Sequence, residues 1–133
     1  MGSLNALLAH LRAMSLGAQP AAILRAETAL EELLTNSVVH GDAGLAAQSS
    51  VWLGVSARAE VLRVRYEDAG AAFDPLPIIE IALQRTTIPI DQRPVGGLGI
   101  LMVYRLADEF SYARADSRNC IDLSFRARAA SGY

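Results

Sequence analysis

An α+β fold, a two-layer sandwich with helices on one face of a mixed, mainly antiparallel sheet, is what this 133-residue chain predicts. Three observations lead there. Three segments repeat apolar side chains at helical spacing, and four others alternate apolar with polar residues in two pairs close enough for hairpins. The composition is 52% hydrophobic, with no break that would mark a second domain. One core, one domain spanning 1–133, is the expectation.

Leu4, Leu7, Leu8, Leu11 and Met14 define an amphipathic helix over Leu4–Ser15, stopped by Gly17. Pro20 suits the first turn of a second helix, where its missing N–H costs nothing. Ile23, Leu24, Leu30, Leu34 and Val38 carry that helix to His40-Gly41, and the glycine is a natural C-terminal stop. Residues 41–50 are small and read as a loop. Val51–Ala57 and Val61–Tyr66 alternate as two strands, with Ala59-Glu60 as the hairpin turn between them. Trp52 lies on the face opposite Val51, Leu53 and Val55, as a packing or edge aromatic.

Beyond Asp68-Ala69-Gly70, Pro75, Pro77, Pro89 and Pro94 punctuate a stretch running to Gly97, interrupted by a short helix around Ile79–Leu83. A long irregular stretch inside a compact domain is usually functional or mobile. Gly99 opens a third helix on Ile100, Leu101, Val103, Tyr104 and Leu106. Two last strands, Glu109–Arg114 and Cys120–Arg126, flank the turn residues Asp116-Ser117-Arg118-Asn119, and Arg128–Tyr133 reads as a fraying tail.

Charge and cysteine content narrow the function. The formal charge is −2 with acidic and basic residues interspersed, so the basic stripe of a nucleic-acid binder is missing. The single cysteine, Cys120, sits in a strand-like run and reads as a small hydrophobe, in keeping with a reducing cytoplasm. His10 and Arg12 interrupt the N-terminal leucines, and no segment approaches the ~20 apolar residues of a membrane span. A cytoplasmic protein without direct nucleic-acid or membrane contact is expected.

Three clusters carry chemistry. Glu32 and Asn36 are four apart on the second helix and project from one face. A carboxylate beside an amide oxygen can activate a hydroxyl while helping to hold Mg²⁺, which prefers oxygen ligands and keeps most of its waters; the pair also fits a solvated helix face. Asp68, at a strand end before Gly70, can accept a hydrogen bond from the exocyclic amine of adenine while the glycine lets backbone approach the base; it also fits an ordinary strand exit. Gly96-Gly97-Leu98-Gly99 precedes a helix, where exposed N–H groups and the positive dipole end bind phosphate. No Lys-Ser or Lys-Thr follows, so this is not a P-loop.

In this order the clusters resemble the N, G1 and G2 boxes of the Bergerat-fold ATPases, the superfamily of gyrase, the ninety-kilodalton heat-shock chaperone, MutL and the histidine-kinase catalytic domain. Glu31-Glu32-Leu33-Leu34-Thr35-Asn36-Ser37-Val38-Val39-His40-Gly41, Phe73-Asp74-Pro75, and Gly97-Leu98-Gly99-Ile100 through Leu106-Ala107-Asp108-Glu109 look like the bacterial anti-sigma-factor serine kinases. The resemblance covers Ala21 to Phe125. Histidine-kinase catalytic domains usually carry Asn where this chain has Glu32.

The resemblance implies that ATP lies between helices and sheet, with Mg²⁺. Glu32 would be the general base toward a substrate serine, Asn36 the Mg²⁺ ligand, Asp68 the reader of the adenine amine and Gly70 the residue under the base. Gly97 and Gly99 would face the phosphates, and residues 75–97 would form a mobile lid. His40 would shape the helix end. Arg93 fits either a γ-phosphate contact or a solvated loop position. The implied partners are a sigma factor and an anti-anti-sigma protein of the STAS type, with a homodimer as a further expectation. The rival readings are a non-catalytic, nucleotide-gated binding module and a regulatory domain working with a separate type 2C phosphatase or response-regulator module. Two departures stand out: Ala72 replaces the second glycine of the G1 box, and the first element is a helix where relatives usually have an edge strand.

Overall fold

A computed structural model describes residues 2–40, 50–85 and 98–127. Along the chain run α1 (Gly2–Met14), α2 (Pro20–His40), β1 (Val51–Arg58), β2 (Val61–Asp68), α3 (Leu76–Arg85), α4 (Leu98–Leu106), β3 (Glu109–Ala115) and β4 (Arg118–Arg126). The helices pack on one face of a four-stranded sheet of order β1-β2-β4-β3. The expected α+β sandwich is present.

Where a mixed, mainly antiparallel sheet is expected, all three strand pairings among the described residues are antiparallel. Of the second hairpin, β4 and not β3 lies beside β2. Composition selects β4: Cys120, Ile121, Leu123, Ser124 and Phe125 are buried, whereas β3 exposes every second residue and suits an edge. Both hairpins close through two-residue turns with positive φ at both positions, Ala59 and Glu60 (51° and 64°) and Asp116 and Ser117 (52° and 61°). That backbone matches the twist of the flanking strands. The second turn is therefore shorter than expected, and Arg118 and Asn119 belong to β4.

α2 is the central helix. Its inward stripe of Ala22, Ala26, Ala29, Leu30 and Leu33 is almost fully buried, and the alanines let neighbouring elements come close. Leu62, Val64, Tyr66, Ile121, Leu123 and Phe125 meet it from the sheet, and Ile100, Leu101 and Val103 from α4. Burying each large side chain of this kind contributes about 1.5–3 kcal/mol. Arg25 fastens the layers: its guanidinium donates to the Leu106 carbonyl at the end of α4 (2.9 Å) and to the Arg126 carbonyl of β4 (2.7 Å). A cation at a helix C-terminus satisfies a carbonyl the helix leaves free.

The segment after β2 differs from the expected lid. Asp74 Oδ1 accepts the Leu76 N–H (2.9 Å), and the Ile79 N–H bonds the Pro75 carbonyl (2.9 Å). Asp74-Pro75 is a helix cap followed by proline in the first turn, a start signal for a ten-residue helix rather than the opening of a loop. Ile79 and Ala82 are buried in the core, so α3 is an integral element. The remaining part of the expected lid, 86–97, lies outside the described residues, as does the tail beyond 127. Among the described residues no helix is long and apolar enough to cross a membrane.

Candidate functional site

The side of α2 near its C-terminus meets the ends of β2 and β4 in a cleft lined by Asn36, Ser37, Asp68, Gly70, Phe73 and Asn119, among others. Asn36 and Ser37 arrive there because Ser37 continues the buried stripe one turn after Leu33, and Asn36 stands beside it, half-buried. Asp68 and Gly70 arrive because β2 ends where the helical layer does. Three of the residues expected from sequence, Asn36, Asp68 and Gly70, thus share one concave site.

Asp68 is held tightly. Its Oδ1 accepts the Gly70 N–H (3.0 Å) and the Asn119 side-chain amide (2.9 Å), and its Oδ2 accepts the Ser37 hydroxyl (2.9 Å). Since Ser37 donates to Asp68, the Tyr66 hydroxyl 2.9 Å away donates to Ser37. Burial, with a smaller push from the Asp68 charge, raises the Tyr66 phenol to about 12, so it stays protonated as the donor to Ser37 at neutral pH. A carboxylate has about four acceptor positions. Protein donors among the described residues occupy three, which leaves one on Oδ2 for a ligand N–H. A Cβ at Gly70 would press on Asp68 Oδ1 at 3.2 Å, so the position favours glycine.

Glu32 lies one turn earlier on α2 and reaches α4 instead. An ideal Cβ at Gly99 would stand 2.6 Å from Glu32 Oε2, closer than any real Cβ contact. The glycine leaves the space in which the carboxylate rests, at the first turn of α4. Glu32 and Gly99, 67 positions apart in the chain by their numbers, are side by side. The helix N-terminus there carries free N–H groups and the positive end of the dipole.

Ala72 is exposed in the loop after Gly70. Arg93 and Gly97 lie outside the described residues, and His40 has no described side chain. Among the described residues no group of three or more His, Cys, Asp or Glu could hold a metal by itself, so a divalent cation here would need Asn36 together with ligand oxygens.

Asn119, Ser37, Tyr66 and Tyr112 were not singled out by the sequence. Asn119 reads as a turn residue there, yet in the sheet it faces Asp68 across the β2–β4 pairing. Shortening the turn to Asp116-Ser117 would have placed it in a strand, but no local signal pairs that strand with β2.

A wider hollow of about 510 Å³ lies on the outer face of the sheet, where Gly54, Ser56, Ser111 and Ser124 leave a trough. Of its ions, Arg65 is matched with Asp122 by two 2.8 Å bonds and Glu109 with Arg126, and Arg63 also lines it. It lies away from the converging carboxylates. Near one end of the same face the guanidinium of Arg118 stacks on Trp52, which occupies the edge strand as expected.

A family model described as a histidine kinase-like ATPase domain matches residues 2–125. No curated protein matches the chain.

Proposed function

This chain belongs to the histidine kinase-like ATPase domain family and binds ATP, and we propose from that premise that it is a protein serine kinase of the anti-sigma type. One observation carries the reading: Glu32 stands at the glycine that opens α4, one helical turn from Asn36, whose neighbours line the cleft with Asp68. Base recognition at Asp68 and phosphates at the head of α4 would then place the reacting phosphoryl group near Glu32.

Asp68 Oδ2 accepts the adenine amine, and Gly70 leaves room for the base. The N-terminus of α4 meets the phosphates; Gly97 and Arg93, the further candidates, lie outside the described residues. Asn36 helps to hold Mg²⁺, which when bound neutralises charge on the phosphate oxygens. Glu32 takes the proton from a serine hydroxyl of the protein substrate. The serine oxygen forms a bond to the γ-phosphorus, the bond from that phosphorus to the bridging oxygen breaks, and ADP leaves. The substrate serine belongs to a STAS-type anti-anti-sigma protein, and the same domain sequesters a cytoplasmic sigma factor until that protein competes.

The test is calorimetric titration of Mg-ATP and ADP into the full chain and its Asp68→Ala variant, followed by incubation of labelled ATP with a serine-bearing STAS protein. Binding that weakens in the variant, with label on the serine, is the expected result. Binding without transfer would establish instead a nucleotide-gated binding module. Absence of ATP binding would overturn the site.

A further inference from the structure

Asn119 is buried, with 6% of its surface exposed, and every hydrogen-bonding position of its side chain is filled. Its amide nitrogen donates to Asp68 Oδ1 (2.9 Å) and to the Ala71 carbonyl (2.8 Å). Its oxygen accepts the Phe73 N–H (3.0 Å) and the Tyr112 hydroxyl (2.6 Å). The Phe73 N–H can only donate and the Ala71 carbonyl can only accept, so one orientation of the amide is possible. A saturated side chain has nothing left for a nucleotide. Its influence passes through what it holds, which is the Asp68 carboxylate and the loop from Ala71 to Phe73.

Resting on the adenine-recognition reading above, we infer that Asn119 is a positioning residue that sets selectivity for adenine over guanine nucleotides, with Tyr112 as its buttress. Asn119 and Gly70 together fill Oδ1, and Ser37 fills half of Oδ2. The carboxylate plane is thereby fixed, and the acceptor position that the described residues leave open on Oδ2 cannot rotate away. Adenine offers an amine at its six-position and guanine a carbonyl. A fixed acceptor rewards the first and leaves the second unpaired against it; a carboxylate free to turn would discriminate less. Arg114 strengthens the same frame by donating to the Gly70 carbonyl (2.7 Å), so the β3–β4 hairpin as a whole shapes the base-binding loop.

The test measures the ratio of ATP to GTP affinity for the full chain by calorimetry. Asn119→Asp keeps the shape but turns the donor facing Asp68 into an acceptor, and Tyr112→Phe removes one bond to Asn119. The expected drop in the ratio is about tenfold for Asn119→Asp and about threefold for Tyr112→Phe, the scale of one hydrogen bond lost or weakened. Either change added to Asp68→Ala should lower the ratio no further than Asp68→Ala alone, because a residue acting through another is non-additive with it. Loss of structure would lower both affinities together and leave the ratio alone. If Asn119→Asp fails to fold, Tyr112→Phe decides. An unchanged ratio in the folded variants, or a further drop on top of Asp68→Ala, overturns the inference. An Asp68→Ala variant with the intact protein's ratio would instead overturn the adenine reading itself, a result that does not involve Asn119.

Discussion

At one end of the cleft, Asp68 is gripped by donors from three places: the loop that follows it, α2 and β4. One helical turn before Asn36, outside the lining of that cleft, Glu32 lies against Gly99 with a long side chain that several rotatable bonds can redirect. The proposed base end is held by cross-strand pairing and a saturated polar network. The proposed phosphate end depends on one missing side chain. The proposed base recognition thus rests on several hydrogen bonds, while the chemistry proposed for Glu32 rests on a space the size of a methyl group.

Three experiments test that contrast. The largest effect is expected for Glu32→Ala, which should reduce phosphoryl transfer by about 10²–10⁴-fold, the usual worth of a general base, with little change in ATP affinity. Transfer at the intact rate would remove Glu32 from the chemistry. Gly99→Ala comes next. Its methyl would enter the 2.6 Å gap at Glu32 Oε2, and because that oxygen ends a flexible side chain the fold should survive while the carboxylate swings away. Transfer should drop by about 10²-fold, as for a misplacement of about 1 Å, with a nearly unchanged melting temperature. A large fall in melting temperature would show that the phosphate end is as rigid as the base end.

The smallest effect concerns the base end. The Tyr66 phenol stands at about 12 in the folded chain against 10.0 in its ordinary state. Its contribution to stability is therefore complete below pH 10 and lost as the pH rises toward 12, by about 2–3 kcal/mol across the window. The sequence has no lysine to titrate in the same range. Tyr66→Phe should flatten that part of the curve of melting temperature against pH, at a cost of about 1 kcal/mol at neutral pH for the lost bond to Ser37. An unchanged slope would mean that the Tyr66–Ser37–Asp68 chain is looser than its geometry.

Local periodicity made most of the fold legible. α2 starts at Pro20 as expected, and both hairpins fall where the alternating runs lie. Four prolines between 75 and 94 obscure the extent of α3 in the sequence, although its cap at Asp74-Pro75 is a local signal. At the site, Glu32 and Asn36 share one helix face and Asp68 and Gly70 stand at a strand end, features that also fit a solvated face and an ordinary strand exit; their proposed roles come from the resemblance of the three clusters taken in order. Glu32 against Gly99 was legible only in part, since spacing alone says nothing of two segments so far apart.

The amino-acid order determined the elements, their caps and the residue types of each cluster, because helical and strand periods, proline and glycine act over a few residues. Tertiary structure decided that β4 rather than β3 joins β2. That choice set Asn119 opposite Asp68. It was decided by burial: only β4 is apolar enough for the middle of the sheet, and a preference of that kind exists only once the layers have met.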